Sequence, residues 1–447
     1  MEYFPSVILG AGLTGLSCGY HLGSDYLLVE KELEPGGIVR TRRRQTEEGT
    51  FYCDGTGHWL HLRSPEMRAL VPQLLPGGLV EYERKAVIHL QGVFTLYPFQ
   101  ANTFGLPPEV VLDCLLGLLR ARHPEDFQLA PPIGPARNFR ESVERLFGAG
   151  ICRYFMVPYN EKLLGVKLEE ISAKYADRFI PQPSMEDVVR GALGFSREAL
   201  GYNAKFLYPR EGGIGALPAA FARALPAPPR FGVRVTRADL AAKTLTFADG
   251  TQARYDQLLN TMPLVDFMRL TGEIPSEIRT ALGQLRATTV YYFDLGVRGP
   301  GGDASHYHWV YFPEPEFLFY RVGSYSAVHR GAAPEGCRSY YVEIAGGIAG
   351  WLDRPEELKE RVLADLRRAR IISADDAILF MELCTLPHAY VIFDSQYESA
   401  RQTVVDYLAT HDVRTHGRWG GWNYGGMEDA MLEGRAAATE MRAALAP

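Results

Sequence analysis

Phe4-Pro-Ser-Val-Ile-Leu-Gly10-Ala-Gly12-Leu-Thr-Gly15 opens with a short apolar run that breaks on a Gly-x-Gly-x-x-Gly turn. Such a run reads as a strand buried on both faces. Leu16 to Leu22 then has helical spacing, and Tyr26-Leu-Leu-Val29 reads as a second strand. Together they form a βαβ unit of about thirty residues. Each glycine has its own task. The first permits the tight turn, the second lets backbone approach a pyrophosphate, and the third lets helix and strand pack closely. The helix start offers unpaired N–H groups and a positive dipole end to the phosphates. Glu30, at the end of the second strand, is placed to accept from ribose hydroxyls. Gly10, Gly12, Gly15 and Glu30 therefore read as a dinucleotide site.

The next residues favour FAD over NAD. Glu30-Lys31-Glu32 leads into Pro35-Gly36-Gly37-Ile38-Val39-Arg40-Thr41. Gly36 and Gly37 again allow close backbone approach, and Arg40 can offset phosphate charge. Arg42, Arg43 and Arg44 read as a solvated face.

The chain has 447 residues, enough for two or three domains. Its net charge of -6 argues against a general nucleic-acid binder. Cys18, Cys53, Cys114, Cys152, Cys337 and Cys384 contain no CxxC pair. They read as buried small hydrophobes in a reducing compartment, with no metal site among them. The N-terminus lacks the basic stretch of a signal peptide. The run Val110–Leu119 is interrupted by Asp113 and is too short to span a bilayer. The expectation is a soluble cytoplasmic protein with no transmembrane segment; an oligomer is left open.

Further along, Leu112, Leu115, Leu116 and Leu119 share one helical face, and Glu141–Phe147 and Met185–Leu193 have similar spacing. Residues 105–200 read as a helical insertion. Residues 229–260 alternate apolar and polar around the turn Asp249-Gly250, as in short strands and a hairpin. Thr288–Leu295, Trp309–Phe312, Phe317–Val322 and Tyr340–Ile344 are rich in Tyr, Phe and Val, as in an antiparallel sheet. Residues 426–446 read as a final helix. The fold class is α/β: a Rossmann-like FAD domain with a parallel sheet, a helical domain and an antiparallel sheet domain.

Seven segments, in the same order, resemble the UDP-galactopyranose mutases in their eukaryotic-type pattern. They are Asp54-Gly-Thr-Gly-His58; Tyr97-Pro-Phe99-Gln100; Asn138-Phe139 through Phe155-Met-Val157-Pro-Tyr159-Asn160; Asn203-Ala-Lys-Phe-Leu-Tyr208 through Gly213; Trp309-Val-Tyr311-Phe-Pro-Glu314 with Phe319-Tyr-Arg321 and Tyr325-Ser326; His388-Ala-Tyr390; and Gly417-Arg418-Trp-Gly-Gly-Trp422-Asn-Tyr424. The resemblance implies an FAD domain at 1–62, 206–275 and 410–447 and a helical domain at 104–205. It places an antiparallel-sheet substrate domain at 63–103 and 276–409, with the active site where the three meet.

The implied activity is a redox-neutral interconversion of pyranose and furanose forms of a nucleotide sugar, for polysaccharide biosynthesis. Reduced FAD attacks the anomeric carbon through N5. NAD(P)H is a possible reductant, although no second dinucleotide motif is visible. By the same resemblance, Arg321 offers a fork to a phosphate, and Tyr311, Tyr325, Tyr390 and Tyr424 donate hydroxyls to phosphate oxygens. Tyr97, Phe99 and Gln100 stack on and read a base, while Asn160 and Asn203 close the nucleotide end. His58 and Arg418 lie against the flavin. Tyr159 and Tyr208 read as packing. The spacing from Arg321 to Tyr325 is shorter than in the family.

One position departs from the pattern. Where the family carries an arginine that contacts the substrate diphosphate, this chain has Val157. A lost charged hydrogen bond costs about 1.5–3 kcal/mol. Either Arg153, Lys162 or Lys205 replaces that cation, or the substrate is another nucleotide sugar such as a dTDP-deoxysugar. Two rival readings share the flavin fingerprint: an oxidoreductase of amine oxidase or protoporphyrinogen oxidase type, and a non-catalytic flavin-binding protein.

Overall fold

The N-terminal apolar run forms the strand Glu2–Leu9, whose last four residues are buried. In this computed structural model, which describes residues 1–75, 77–175, 180–195 and 204–445, the strand lies inside a seven-stranded sheet. It pairs in parallel with Tyr26–Glu30 on one side and Gln252–Asn260 on the other. The helix Leu13–Leu22 connects the first two strands, completing the expected βαβ unit. A parallel sheet needs cover on both faces. Ile8 and Leu28 face one layer, which holds Leu16, Phe221 and Met431. Val7, Leu9, Leu27 and Val29 face the other, which holds Val404, Leu408 and Ala281. The hairpin at Asp249-Gly250 joins Thr244–Phe247 to Gln252–Asn260 in antiparallel register.

The second large sheet runs in the order 377–391, 287–298, 337–345, 321–324, 309–311, 86–90, 93–96. Its central strands alternate. Phe293, Leu295, Val342, Val322 and Val310 form one apolar face, covered by Leu358, Val362 and Leu366 of the helix Pro355–Arg368. Side-chain period two then sends Tyr292, Asp294, Tyr341, Glu343 and Arg321 to the other face.

Two strand expectations need correction. The sheet is not wholly antiparallel, because Trp309–Tyr311 pairs in parallel with Ala86–Leu90. More than two hundred residues separate these strands, so no hairpin fixes their direction. Phe317–Tyr320 is also not strand. Phe317 and Phe319 pack on Phe312 instead, and pairing begins at Arg321. Aromatic content there reports core packing, not backbone pairing.

The helical insertion contains Pro108–Arg122, Phe139–Ile151, Val157–Leu164 and Met185–Ala192. A wide turn of π type over Cys152–Met156 precedes Val157. Pro158 follows directly and has no N–H to continue the regular ladder, which favours such a widening. Among the described residues, no helix is long and apolar enough to cross a membrane.

Candidate functional site

The glycine turn is a backbone cradle. A Cβ on Gly37 would lie 3.4 Å from the Gly12 Cα, so two bare backbones face each other. The Gly36 N–H donates to the Ala11 carbonyl at 2.8 Å, which fixes the second glycine pair against the first turn. Gly12 caps Leu13–Leu22 with no side-chain hydrogen bond, leaving that helix end to an anion. Gly15 lies so close to Gly10 that any Cβ would overlap the Gly10 carbonyl oxygen. These features fit a flavin dinucleotide pyrophosphate.

Glu30 does more than sequence reasoning assigned to it. Its carboxylate accepts from the Ala11 N–H at 2.8 Å and from the Glu32 N–H at 3.0 Å. It therefore stiffens the turn, and spare lone pairs remain for a ribose. Arg40 packs against the second glycine pair: its Nε–H donates to the Gly37 carbonyl at 2.7 Å, and it pairs with Glu32 at 3.5 Å. Purified protein is expected to be yellow, and Glu30→Ala should lower the ratio of extracted FAD to protein. Full FAD retention in the variant would remove that role.

A second constellation lies on the polar face of the other sheet. Strand register lines up Cys384, Tyr292, Glu343, Arg321 and Tyr311 across five strands. Arg321 forks onto Glu343, with Nε–H donating to one carboxylate oxygen and Nη2 to the other at 2.8 Å. Glu343 is enclosed, and Arg321 keeps about a fifth of its side-chain surface exposed. The remaining edge of the guanidinium still carries N–H donors for a phosphate.

Tyrosines surround this pair. Tyr97 stacks on Tyr311 at 5.0 Å, and Tyr159 meets Tyr311 edge-on at 5.3 Å. Tyr390 stacks on Tyr424 at 6.0 Å, with the Arg418 guanidinium 4.4 Å from the Tyr424 ring centre. Burial raises the Tyr390 hydroxyl pKa, opposed first by Arg321. The same is true of Tyr159, so both hydroxyls remain protonated donors.

The charges of Arg418 and Arg321 both act on His58. Its Nδ1 lies 3.1 Å from the Asp54 carbonyl, an acceptor, so Nδ1 carries the proton and Nε2 is left as an acceptor. Desolvation and then the neighbouring Arg418 and Arg321 lower its pKa to about 4. The ring is therefore neutral at physiological pH.

His58, Tyr97, Tyr311, Arg321, Tyr390, Tyr424 and Arg418 are thus brought together. Other expected residues have partners of their own. Phe99 is fully buried and stacks on Phe155 at 5.2 Å. The Gln100 amide donates to the Pro181 carbonyl at 2.8 Å, and the Asn160 amide to the Met156 carbonyl at 2.7 Å. Tyr325 is enclosed and donates to Asp294 at 2.9 Å, which commits its hydroxyl to the sheet interior. Asn203 lies outside the described residues. Tyr159, read as packing, in fact helps wall the cluster. Tyr208 donates to Asp54 at 2.5 Å.

Each of the three cations considered as substitutes at Val157 has a partner within the protein. Arg153 pairs with Asp113 at 2.9 Å, and Lys205 pairs with Glu81 at 2.8 Å. Lys162 donates to the Phe312 and Glu314 carbonyls at 3.1 and 2.8 Å. Burial lowers its pKa to about 7. A further cation beside the tyrosines, besides Arg321 and Arg418, is Arg84, 4.7 Å from the Tyr97 ring centre. Its place follows from a strand pairing between segments far apart in sequence, which no local motif announces. Glu343 was also missed. Its signal was present: a lone carboxylate between Val342 and Ile344 in a strand must find a partner when buried.

The family model for flavin containing amine oxidoreductases matches residues 13–442. Among solved structures, a reduced UDP-galactopyranose mutase superposes with a TM-score of 0.91 at 24% identity, covering 100% of this chain and 95% of that one. A protein from Exiguobacterium sp. 255-15, provisionally assigned as a protoporphyrinogen oxidase, gives 0.71 at 16% identity, with 99% of each chain covered. A putrescine oxidase bound to putrescine gives 0.62 at 14% identity, again over 99% of each chain.

Proposed function

The chain belongs to the flavin containing amine oxidoreductases, and from that footing we propose that it is a flavin-dependent, redox-neutral nucleotide-sugar mutase. The substrate class is a nucleoside diphosphate sugar, interconverted between pyranose and furanose rings. The observation that carries this reading is the tyrosine cluster around Arg321 beside a neutral His58. Hydroxyl donors and a guanidinium suit an anion better than an amine or an apolar porphyrin ring.

Reduced flavin, when bound, supplies the nucleophile for the anomeric carbon. The chain's own residues bind and orient the substrate. Arg321 presents its free edge to the diphosphate. Tyr311, Tyr390 and Tyr424 add hydroxyl donors, and Tyr97 backs the Tyr311 ring. Arg418 keeps cationic charge beside the flavin, and His58 presents an acceptor. An added reductant such as NAD(P)H is part of the proposal.

The test is conversion of UDP-galactopyranose, followed chromatographically with oxidised and with dithionite-reduced enzyme. Product should form only after reduction and should have the mass of the substrate. Equal rates in both states would reject the mechanism. Turnover with oxygen and no added reductant would support the oxidase alternative. That alternative has one observation in its favour: Glu343 offsets the charge of Arg321.

Val157 bears on the nucleotide. If the substrate is a nucleotide diphosphate sugar, Val157→Arg should tighten UDP-sugar or dTDP-sugar binding by about 1.5–3 kcal/mol, the worth of one charged hydrogen bond. Titration calorimetry with both ligands checks it. A variant that binds neither more tightly would separate this site from a two-arginine diphosphate site.

A further inference from the structure

Asp54 is enclosed, at 1% exposure, and its carboxylate accepts from three donors. Its Oδ1 accepts from the Thr41 hydroxyl at 2.6 Å and from the Ile214 N–H at 3.3 Å. Its Oδ2 accepts from the Tyr208 hydroxyl at 2.5 Å. Thr41 follows the second glycine pair, Tyr208 lies on the strand Lys205–Pro209, and Ile214 precedes the helix Ala216–Ala224. One carboxylate therefore ties three segments of the flavin side to the turn 54–58. Thr41 extends the network by accepting from the Gly215 N–H at 2.8 Å.

The same residue holds the histidine. The Asp54 carbonyl accepts from the His58 Nδ1–H. The turn is also pressed from the sheet side. A Cβ on Gly55 would lie 3.1 Å from the Tyr292 hydroxyl, and one on Gly57 would lie 2.5 Å from the Tyr341 hydroxyl. The backbone of 55–57 thus runs in a slot whose far wall is anchored by the Asp54 side chain. Desolvation raises the carboxyl pKa to about 6, held back by the Thr41, Tyr208 and Ile214 donors, so it is ionised at neutral pH.

We propose that Asp54 is a positioning residue for His58: through its side chain it fixes the turn, and through its carbonyl it fixes the ring tautomer, so that Nε2 faces the flavin as an acceptor. The inference rests on the reading that His58 borders the flavin, and it acts only through that ring.

A double-mutant cycle on the FAD-loaded protein tests it, with Asp54→Asn, His58→Ala and the double variant. Three readouts are the visible flavin spectrum with its midpoint potential, the ¹⁵N shifts of the histidine ring, and kcat and KM of reduced enzyme with UDP-galactose. Asp54→Asn should retain FAD, shift the spectrum and potential, and lose the Nδ1-protonated signature of His58. It should lower kcat about 10- to 100-fold, the scale on which misplacement acts, with KM little changed. In the His58→Ala background the same change should be silent in spectrum and potential. Shifts of equal size in both backgrounds would overturn the proposal, as would an Asp54→Asn protein identical to wild type. If Asp54→Asn does not fold, Tyr208→Phe removes one donor and should act in the same direction, again silently without His58. Wild-type protein with no nucleotide-sugar turnover would defeat the functional reading alone, because the spectral cycle needs no substrate.

Discussion

Arg321→Ala is expected to weaken nucleotide-sugar binding and the fold at the same time. The guanidinium is the central cation of the tyrosine cluster, and it neutralises Glu343, a nearly inaccessible carboxylate. Removing it should cost about 2–5 kcal/mol in binding, because the phosphate loses its charged partner. It should also cost about 3 kcal/mol in stability, because Glu343 is left as a buried unpaired charge. The two losses are separable. Replacing the whole pair, as Arg321→Met with Glu343→Leu, should return thermal stability close to wild type while binding stays weakened. Arg321→Lys should recover part of the stability but not the affinity, since a point charge cannot fork onto Glu343 and a phosphate together. Thermal unfolding and titration with UDP, UDP-galactose and galactose 1-phosphate decide the matter. Wild-type protein that binds none of these ligands, with Arg321→Ala indistinguishable from it, would shift the assignment to an oxidoreductase.

Gly15→Ala should be severely damaging to the flavin side of the fold. Helix propensity alone predicts the opposite, since alanine is favoured over glycine by about 1 kcal/mol inside a helix. Contact geometry outweighs it. The added Cβ would overlap the Gly10 carbonyl oxygen and approach Ile8 Cγ2 at 3.2 Å, and the closest obstacle is backbone that cannot rotate away. Overpacking of this kind costs about 3 kcal/mol or more. The helix must move off the strand, which opens the cradle formed with Gly37 and should empty the protein of FAD. Gly19→Ala on the same helix is the control. Its Cβ would meet the Tyr26 ring at 3.2 Å and a Leu225 methyl at 3.3 Å, both side chains that can give. FAD content and melting temperature of the two variants check this; a yellow Gly15→Ala protein with wild-type stability would refute the close-packing argument.

The sequence by itself determined the flavin side of this protein. The strand, turn and helix from Glu2 to Leu22, the cradle glycines and Glu30 are near neighbours in the chain. Local sterics and hydrogen bonds dictate their form, so a motif read from the sequence maps directly onto geometry. The alternation of Val342-Glu343-Ile344 also announced a half-polar strand. The partner of Glu343 could not be read, because it depends on the register that sets Arg321 opposite it across two strands. The same limit explains the misplaced residues. Tyr325 and Phe99 had the right chemistry for a ligand, but packing gave one to Asp294 and the other to Phe155. Arg84 had no motif at all, and only the tertiary structure set it over Tyr97. Which polar groups face a cleft is decided by long-range pairing, whose energy comes from burying distant surfaces together.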